Sequence, residues 1–225
     1  MFIWLAVTFC VLLVVSNLFV PRLWRVGGTS LQLSGAVIIF PISYVINDLL
    51  TEVYGYRRAM LVIWMGFTLS ALVAIIAQLI CWLPDPIYPE NQAVAHSFNQ
   101  LYGLVPRTTA SSLLAFILGS QINALVMSRM KVLSKGRHFG VRAIASSLAG
   151  ELSDSLIFYP LAFLGVMPFT AILSIILTQV TVKTLYEVLV LPLTSTLARR
   201  IKRVEGLDTY DYDISYNPFN IKYID

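Results

Sequence analysis

Six ionisable residues lie within long apolar stretches of the chain, and they are Asp48, Glu52, Glu151, Asp154, Lys183 and Glu187. A charged side chain at the centre of a lipid-facing helix costs roughly 2.5 to 3.5 kcal/mol on insertion scales, so these groups must face one another or a wet cavity. Five carboxylates against one lysine leave a formal excess of four negative charges. That excess predicts protonation, a bound cation, or a positively charged or donor-rich ligand, which are typical of transport proteins.

Helical spacing places polar side chains on common faces, because residues three or four apart lie on the same side of an α-helix. Three stripes follow this spacing: Tyr44, Asn47, Asp48, Thr51 and Glu52; Ser147, Gly150, Glu151 and Asp154; and Gln179, Lys183, Tyr186 and Glu187. Neutral groups in two other apolar runs add to them. The predicted binding residues are therefore Asn17, Asn47, Asp48, Glu52, Gln121, Asn123, Glu151, Asp154, Lys183, Tyr186 and Glu187.

Purely structural roles are alternatives for some of these residues. Glu52 could pair with Arg57 or Arg58 at a helix end. Lys183 and Glu187 have the spacing of an ordinary i, i+4 ion pair on one helix. Asn17 could be an interhelical hydrogen-bonding group, as amides often are in membrane bundles. The sequence leaves both kinds of role open.

The elements that position these residues follow from composition. The chain has 225 residues, 57% hydrophobic and only 12% charged, with a mean hydropathy of +0.76. Since about 20 apolar residues cross the membrane as a helix, we predict an all-α, polytopic protein. Its six transmembrane helices are expected at about 2–20, 33–53, 59–83, 107–128, 142–165 and 169–198. They form one domain, 1–203, followed by a tail, 204–225.

Basic residues predict the orientation. Twelve of the sixteen lysines and arginines follow the second, fourth and sixth spans, whereas the opposite loops hold three. By the positive-inside rule, both termini are expected on the cytoplasmic side of the inner membrane. The net charge of +4 is thus explained by topology, and no nucleic-acid partner is expected. The polar tail is either disordered or folded against the cytoplasmic face.

Catalytic and metal chemistry find little support in the sequence. Neither His96 nor His138 lies in a predicted span, so a serine nucleophile within the membrane would lack a base. There is no Cys or His metal cluster, phosphate-binding glycine loop or haem motif. We therefore expect a protein that is not an enzyme and has no metal or cofactor.

Three segments resemble the vitamin uptake transporter family, whose characterised members are queuosine precursor transporters. They are FPISYVINDLLTEVYGYRR (Phe40 to Arg58), SSLAGELSDSLIFYPLAF (Ser146 to Phe163) and VKTLYEVLVLPLT (Val182 to Thr194). The tail sequence DTYDYDISYNPF resembles an ending seen in many members.

The resemblance implies uptake of a 7-deazaguanine base across the inner membrane for tRNA modification. Family positions carry over to Asn17, Asp48, Glu52, Asp154 and Lys183. Two residues depart from the commoner pattern: Glu151 stands where many members have Gln or Asn, and Asn123 where many have Asp.

The chemistry of the predicted site fits such a base. A carboxylate can accept the adjacent N–H donors of a guanine-like edge, and an amide can meet its carbonyl. We predict Asp154 or Glu151 for that edge and Lys183 as the partner of Asp48. The expected function is a secondary carrier, and a coupling cation or proton and a homo-oligomer are left open. The acidic stripes of spans two and five correspond in two three-helix halves, which is consistent with an inverted repeat.

Two other functions remain open at this stage. One is the substrate-binding subunit of an ATP-driven vitamin-type transporter, which also has six spans and no ATPase of its own. The other is a cation or proton channel that uses the acidic residues as a relay.

Overall fold

The computed structural model of the chain describes residues 1–19, 22–25, 32–102, 106–165, 168–212 and 214–217. Helices make up most of this part of the chain. The elements are α1 (Phe2–Phe19), β1 (Leu23–Arg25), β2 (Gln32–Ser34), α2 (Phe40–Tyr54), α3 (Tyr56–Cys81), α4 (Pro89–Tyr102), α5 (Pro106–Leu133), α6 (Phe139–Phe163) and α7 (Phe169–Glu205). The two short strands pair in antiparallel fashion, and a single 3-10 turn at Gly35–Ile38 leads into α2.

Within the described ranges, five segments are long and apolar enough to cross a membrane: Phe2–Phe19, Gly35–Tyr54, Tyr56–Cys81, Ala110–Leu133 and Phe169–Glu205. The predicted helical, multi-pass architecture is thereby confirmed. The predicted count of six spans is not confirmed, because α6 is not among these five segments. With 25 residues α6 is long enough to span, but it carries Arg142, Glu151 and Asp154.

Helix α2 lies at the centre of the bundle. Every residue of α2 except Ile42 is buried, and the helix packs against α1, α3, α5, α6 and α7. Pro41 stands in the first turn, where a missing backbone N–H costs no helical hydrogen bond. The polar stripe on α2 therefore faces other helices along its whole length.

Helices α5 and α6 approach each other closely at Gly119 and Gly150. A Cβ atom added at either glycine would lie 2.8 Å from the backbone oxygen of the other. The ring of Tyr44 on α2 packs over the same point, 3.0 Å from a Cβ at Gly150. The absence of side chains here brings the polar residues of α2, α5 and α6 within hydrogen-bonding reach.

Beyond α7 the chain turns back along the bundle, and we call residues 207–212 and 214–217 the C-terminal segment. The backbone N–H of Thr209 donates to the carbonyl of Val53 at 3.2 Å. The carboxylate of Asp211 accepts from the backbone N–H of Tyr56 at 2.9 Å and from Ser128 Oγ at 2.5 Å. The tail was expected to be either disordered or folded, and its described residues are folded against the bundle. Residues 213 and 218–225 lie outside the described part of the chain.

Gly55, between α2 and α3, allows a test of the contact between the C-terminal segment and the bundle. Gly55 has a φ of 84° and a ψ of 169°, and a Cβ there would lie 2.8 Å from both Asp211 Oδ1 and Thr209 Cγ2. Gly165 has nearly the same φ, +85°, and no atom of the residues that the structure describes lies within 4 Å of such a Cβ. Gly165→Ala therefore reports backbone strain alone, about 1 kcal/mol.

We expect Gly55→Ala to lower the thermal unfolding temperature in detergent more than Gly165→Ala does, because it also displaces the C-terminal segment. Only Gly55→Ala should speed chymotryptic cleavage after Tyr210 and Tyr212. Equal effects of the two substitutions in both measurements would contradict the docking.

Candidate functional site

Asp48 is fully buried, and neutral donors from two neighbouring helices surround it. Its Oδ1 accepts from Asn123 Nδ2 at 3.1 Å and from Ser146 Oγ at 3.2 Å, while its Oδ2 accepts from Ser147 Oγ at 3.5 Å. Hydrogen bonds of this kind stabilise the charged form of a carboxylate without a cation. Asp48 thus links α2 to both α5 and α6.

The amide of Asn123 is held in one orientation by a second amide. Asn47 Nδ2 donates to Asn123 Oδ1 at 2.7 Å and to the backbone oxygen of Ser120 at 3.2 Å. Because the oxygen of Asn123 is used in this way, its NH₂ group faces Asp48. The predicted residues Asn47, Asp48 and Asn123 therefore form one connected network.

Lys183 of α7 contacts α6 rather than α2. Its Nζ lies 3.7 Å from Asp154 Oδ2 and 4.9 Å from the centre of the Phe40 ring. The prediction that Lys183 pairs with Asp48 is wrong. The physical reason is that Asp48 already has three neutral donors, whereas Asp154 has the lysine within reach across the α6–α7 interface.

Several buried polar atoms have no hydrogen-bond partner among the described residues. They include Oε2 of Glu151, both carboxylate oxygens of Glu187, the hydroxyl of Tyr44 and Oδ1 of Asn47. Glu151 is 1% and Glu187 4% exposed. An unpaired buried polar group lowers stability by about 1 to 3 kcal/mol, so a hydrogen bond from a ligand, a proton or water would be favourable at these atoms.

These groups are close neighbours. Tyr44 lies within electrostatic range of Asp48, Glu151, Asp154 and Glu187, and Glu151 lies within range of Lys183. We call the set Tyr44, Asp48, Asn123, Glu151, Asp154, Lys183 and Glu187 the central cluster. It joins α2, α5, α6 and α7, and it holds four carboxylates against one ammonium group.

Glu52 lies one turn beyond Asp48 in a different environment. Its carboxylate binds both Arg142 Nη atoms, with Nη2 at 3.0 Å, and Lys202 Nζ at 2.5 Å. The predicted alternative, a pair with Arg57 or Arg58, is not the pairing that the structure shows. Glu52 is compensated by these cations, so the negative excess of the central cluster does not include it.

A second acid completes this group of charges. Lys131 Nζ donates to Asp208 Oδ1 at 2.6 Å and to the backbone oxygen of Glu52 at 2.5 Å, and Lys202 Nζ lies 2.9 Å from Asp208. We call Glu52, Lys131, Arg142, Lys202 and Asp208 the basic cluster. It ties the C-terminal segment to α2, α5, α6 and α7.

Partial burial favours the neutral form of Asp208, but the hydrogen bonds from Lys131 and Lys202 outweigh it and lower the pKa of Asp208 below its usual range. Since the folded-state pKa is the lower one, this carboxylate stabilises the fold above the unfolded pKa of about 3.9. That contribution is lost as the pH falls through the folded-state pKa.

The remaining predicted residues are Asn17, Gln121 and Tyr186. Asn17 Oδ1 accepts from Ser112 Oγ at 3.2 Å and so joins α1 to α5, which fits the structural alternative. Gln121 and Tyr186 are half-buried. Gln121 stands two residues before Asn123, about 200° around the helix, so it faces away from Asp48.

Sequence reasoning missed the burial of Arg142 and Lys131, which are 1% and 2% exposed. The sequence prediction puts Lys131 beyond the fourth span and Arg142 at the first residue of the fifth, but α5 continues to Leu133 and α6 begins at Phe139. A signal was present, because Arg142 and Ser146 extend the four-residue spacing of the stripe through Gly150 and Asp154. The donors Ser146 and Ser147 were also missing from the predicted binding residues.

Known proteins match the chain over most of its length. The sequence profile of a family described as "Putative vitamin uptake transporter" matches residues 34–197. The chain is also similar to a protein of Bacillus subtilis (strain 168) named "Probable queuosine precursor transporter", with 26% identity over 194 residues, which cover 85% of this chain and 80% of the relative. No solved structure shows a significant match.

The basic cluster predicts the effect of a single substitution. Arg142→Met removes a buried cation from Glu52, and breaking such a pair typically costs about 3 to 5 kcal/mol. Arg200→Met, at an exposed position of α7, is the matched control. We expect the first variant to unfold in detergent at a much lower temperature than the native chain and the second to be unchanged.

A double substitution separates the pair from general packing. Adding Glu52→Gln to Arg142→Met removes the acid that Arg142 pairs with, so the double variant should lose less stability than the sum of the losses in the two single variants. Additive losses in the double variant would contradict the buried pair.

Proposed function

The chain belongs to the vitamin uptake transporter family, and on that premise we propose that it imports a queuosine precursor, a 7-deazaguanine-type base, as a secondary carrier. The family and the similar Bacillus subtilis protein support a membrane transporter of this kind. The observation that carries the choice of ligand is the unpaired carboxylate oxygen of Glu151 within the central cluster.

Glu151 is the carboxylate that we propose for the edge of the base. A guanine-like ring presents adjacent N–H donors, which one carboxylate can accept together. Of the two acids predicted for this role, Asp154 is engaged by Lys183, whereas Oε2 of Glu151 has no partner among the described residues. Glu151 can therefore bind the base without breaking an existing ion pair.

Aromatic rings and charge in the same place support a flat, donor-rich ligand. Phe40 and Tyr44 lie next to each other, with ring centres 6.0 Å apart, on the side of α2 that Lys183 contacts. A planar heterocycle can stack on such rings. A base with an aminomethyl substituent would also bring a positive charge to the four carboxylates of the central cluster.

For the arrangement in the membrane, we propose α6 as the sixth span and the basic cluster at the cytoplasmic side of the inner membrane. Helix α6 has 25 residues and packs along both α5 and α7. The basic residues at the C-terminal ends of α5 and α7 support a cytoplasmic location for both termini by the positive-inside rule. Two three-helix halves would then rock about the central cluster to expose it alternately.

Uptake of a labelled 7-deazaguanine base tests this function in cells that cannot synthesise it. Glu151→Gln keeps the shape of the side chain but replaces one acceptor oxygen and its charge. Charged hydrogen bonds contribute about 1.5 to 3 kcal/mol, so we expect the apparent affinity to fall roughly 10- to 100-fold. Glu90→Gln, at an exposed position of α4, is the matched control and should transport normally.

Equal membrane levels of the variants are verified first. Unchanged affinity in Glu151→Gln would remove the assignment of the base edge to Glu151. No uptake by the native chain, together with an ionic current that needs no base, would replace the carrier with a channel.

A further inference from the structure

Glu187 of α7 is a buried acid that the binding proposal leaves unused. It is 4% exposed, and neither of its carboxylate oxygens has a hydrogen-bond donor among the described residues. Across the α2–α7 interface it faces Asp48, with Ser147 of α6 beside it. Two groups that only accept hydrogen bonds when ionised thus lie against each other in the interior.

The surroundings of Glu187 supply no free cation within the described part of the chain. The titratable groups that face it are Asp48 and Tyr44 of α2 and Glu151 of α6. Lys183 stands one turn earlier on α7, but its ion pair is with Asp154 at 3.7 Å. The charges around Glu187 are therefore negative or potentially negative.

Two adjacent buried carboxylates cannot both stay ionised without compensation, and one proton between them resolves the conflict. The proton turns an acceptor facing an acceptor into an O–H···O⁻ hydrogen bond, which is short and strong. Asp48 already accepts from Asn123, Ser146 and Ser147, which stabilises its anion. These donors favour the anion on Asp48, so Glu187 is the acid of the pair with fewer donors to stabilise its charge.

We propose that Glu187 is the proton-coupling site of this carrier and that it moves one proton with each molecule of base; this inference rests on the proposed function. On the outer side, Glu187 takes a proton from water and its O–H donates to Asp48. On the inner side, that O–H bond breaks and the proton returns to water. No other reactant is consumed.

The placement of Glu187 links the proton to the ligand. Helix α7 carries both Glu187 and, one turn away, Lys183, which holds Asp154 of α6. Loss of the proton adds a negative charge beside Asp48 and Glu151, so α7 is repelled from α2 and α6. Proton release therefore favours separation of the helices that form the central cluster.

Purified protein in lipid vesicles separates coupling from binding. A gradient of one pH unit can sustain up to about a tenfold accumulation of base when one proton moves with it. We expect the native chain to accumulate labelled base under such a gradient and to lose accumulation with a protonophore. Glu187→Gln, which mimics the protonated form, should give an accumulation ratio near one at whatever rate of exchange of labelled for unlabelled base it retains.

Two further variants complete the design. Glu187→Asp keeps a titratable group and should retain gradient-driven accumulation in part. Glu90→Gln is the matched control for removal of an acid and should behave as the native chain.

The possible outcomes distinguish a failure of proton coupling at Glu187 from a failure of the proposed transport function. Accumulation by Glu187→Gln that still follows the pH gradient would overturn proton coupling at Glu187, as would accumulation by the native chain driven by sodium alone. Loss of exchange as well as accumulation in Glu187→Gln would make Glu187 a ligand-binding residue instead. A native chain that neither exchanges nor accumulates the base would instead overturn the proposed function.

Discussion

A carboxylate inside a membrane protein must find a cation, hydrogen-bond donors or a proton, because the interior cannot solvate its charge. The five buried acids of the described helices meet this requirement in different ways. Glu52 and Asp154 are held by basic side chains, and Asp48 by an amide and two hydroxyls. Glu151 and Glu187 keep unpaired oxygens. The same requirement therefore separates the acids that join helices to one another from those whose carboxylate oxygens have no partner among the described residues.

One face of helix α2 meets neutral hydrogen-bond donors at one turn and cations at the next. Asp48 and Glu52 are four residues apart, so they lie on the same side of the helix, yet one meets neutral donors and the other meets cations. Just beyond Glu52 the helix ends at Gly55, whose missing side chain admits the C-terminal segment. A movement of α7 during transport would act on both clusters, because Lys183 and Glu187 belong to one and Lys202 to the other.

The faces of the helices could be predicted from the sequence, but the contacts between helices could not. Periodicity alone placed Asp48, Glu151, Asp154 and Lys183 toward a common interior, since a helix fixes which side each residue occupies. The partner of Lys183 depends on the rotation and register of α7 against α6, which no single helix encodes. The burial of Arg142 was missed because hydropathy marks the thickness of lipid and not the end of a helix.

Helix α6 shows why a count of apolar helices falls short for this protein. Its buried residues are polar, charged or small, and they are Arg142, Ala143, Ser146, Ser147, Gly150, Glu151, Asp154, Ser155 and Ala162. Its exposed face carries leucines, namely Leu148, Leu152, Leu156 and Leu161. A helix on a water-soluble protein has the opposite pattern, with its apolar side buried. An apolar face turned outward and a polar face turned toward the bundle interior are typical of helices in a membrane protein, and the polar face of α6 brings Glu151 and Asp154 to the central cluster.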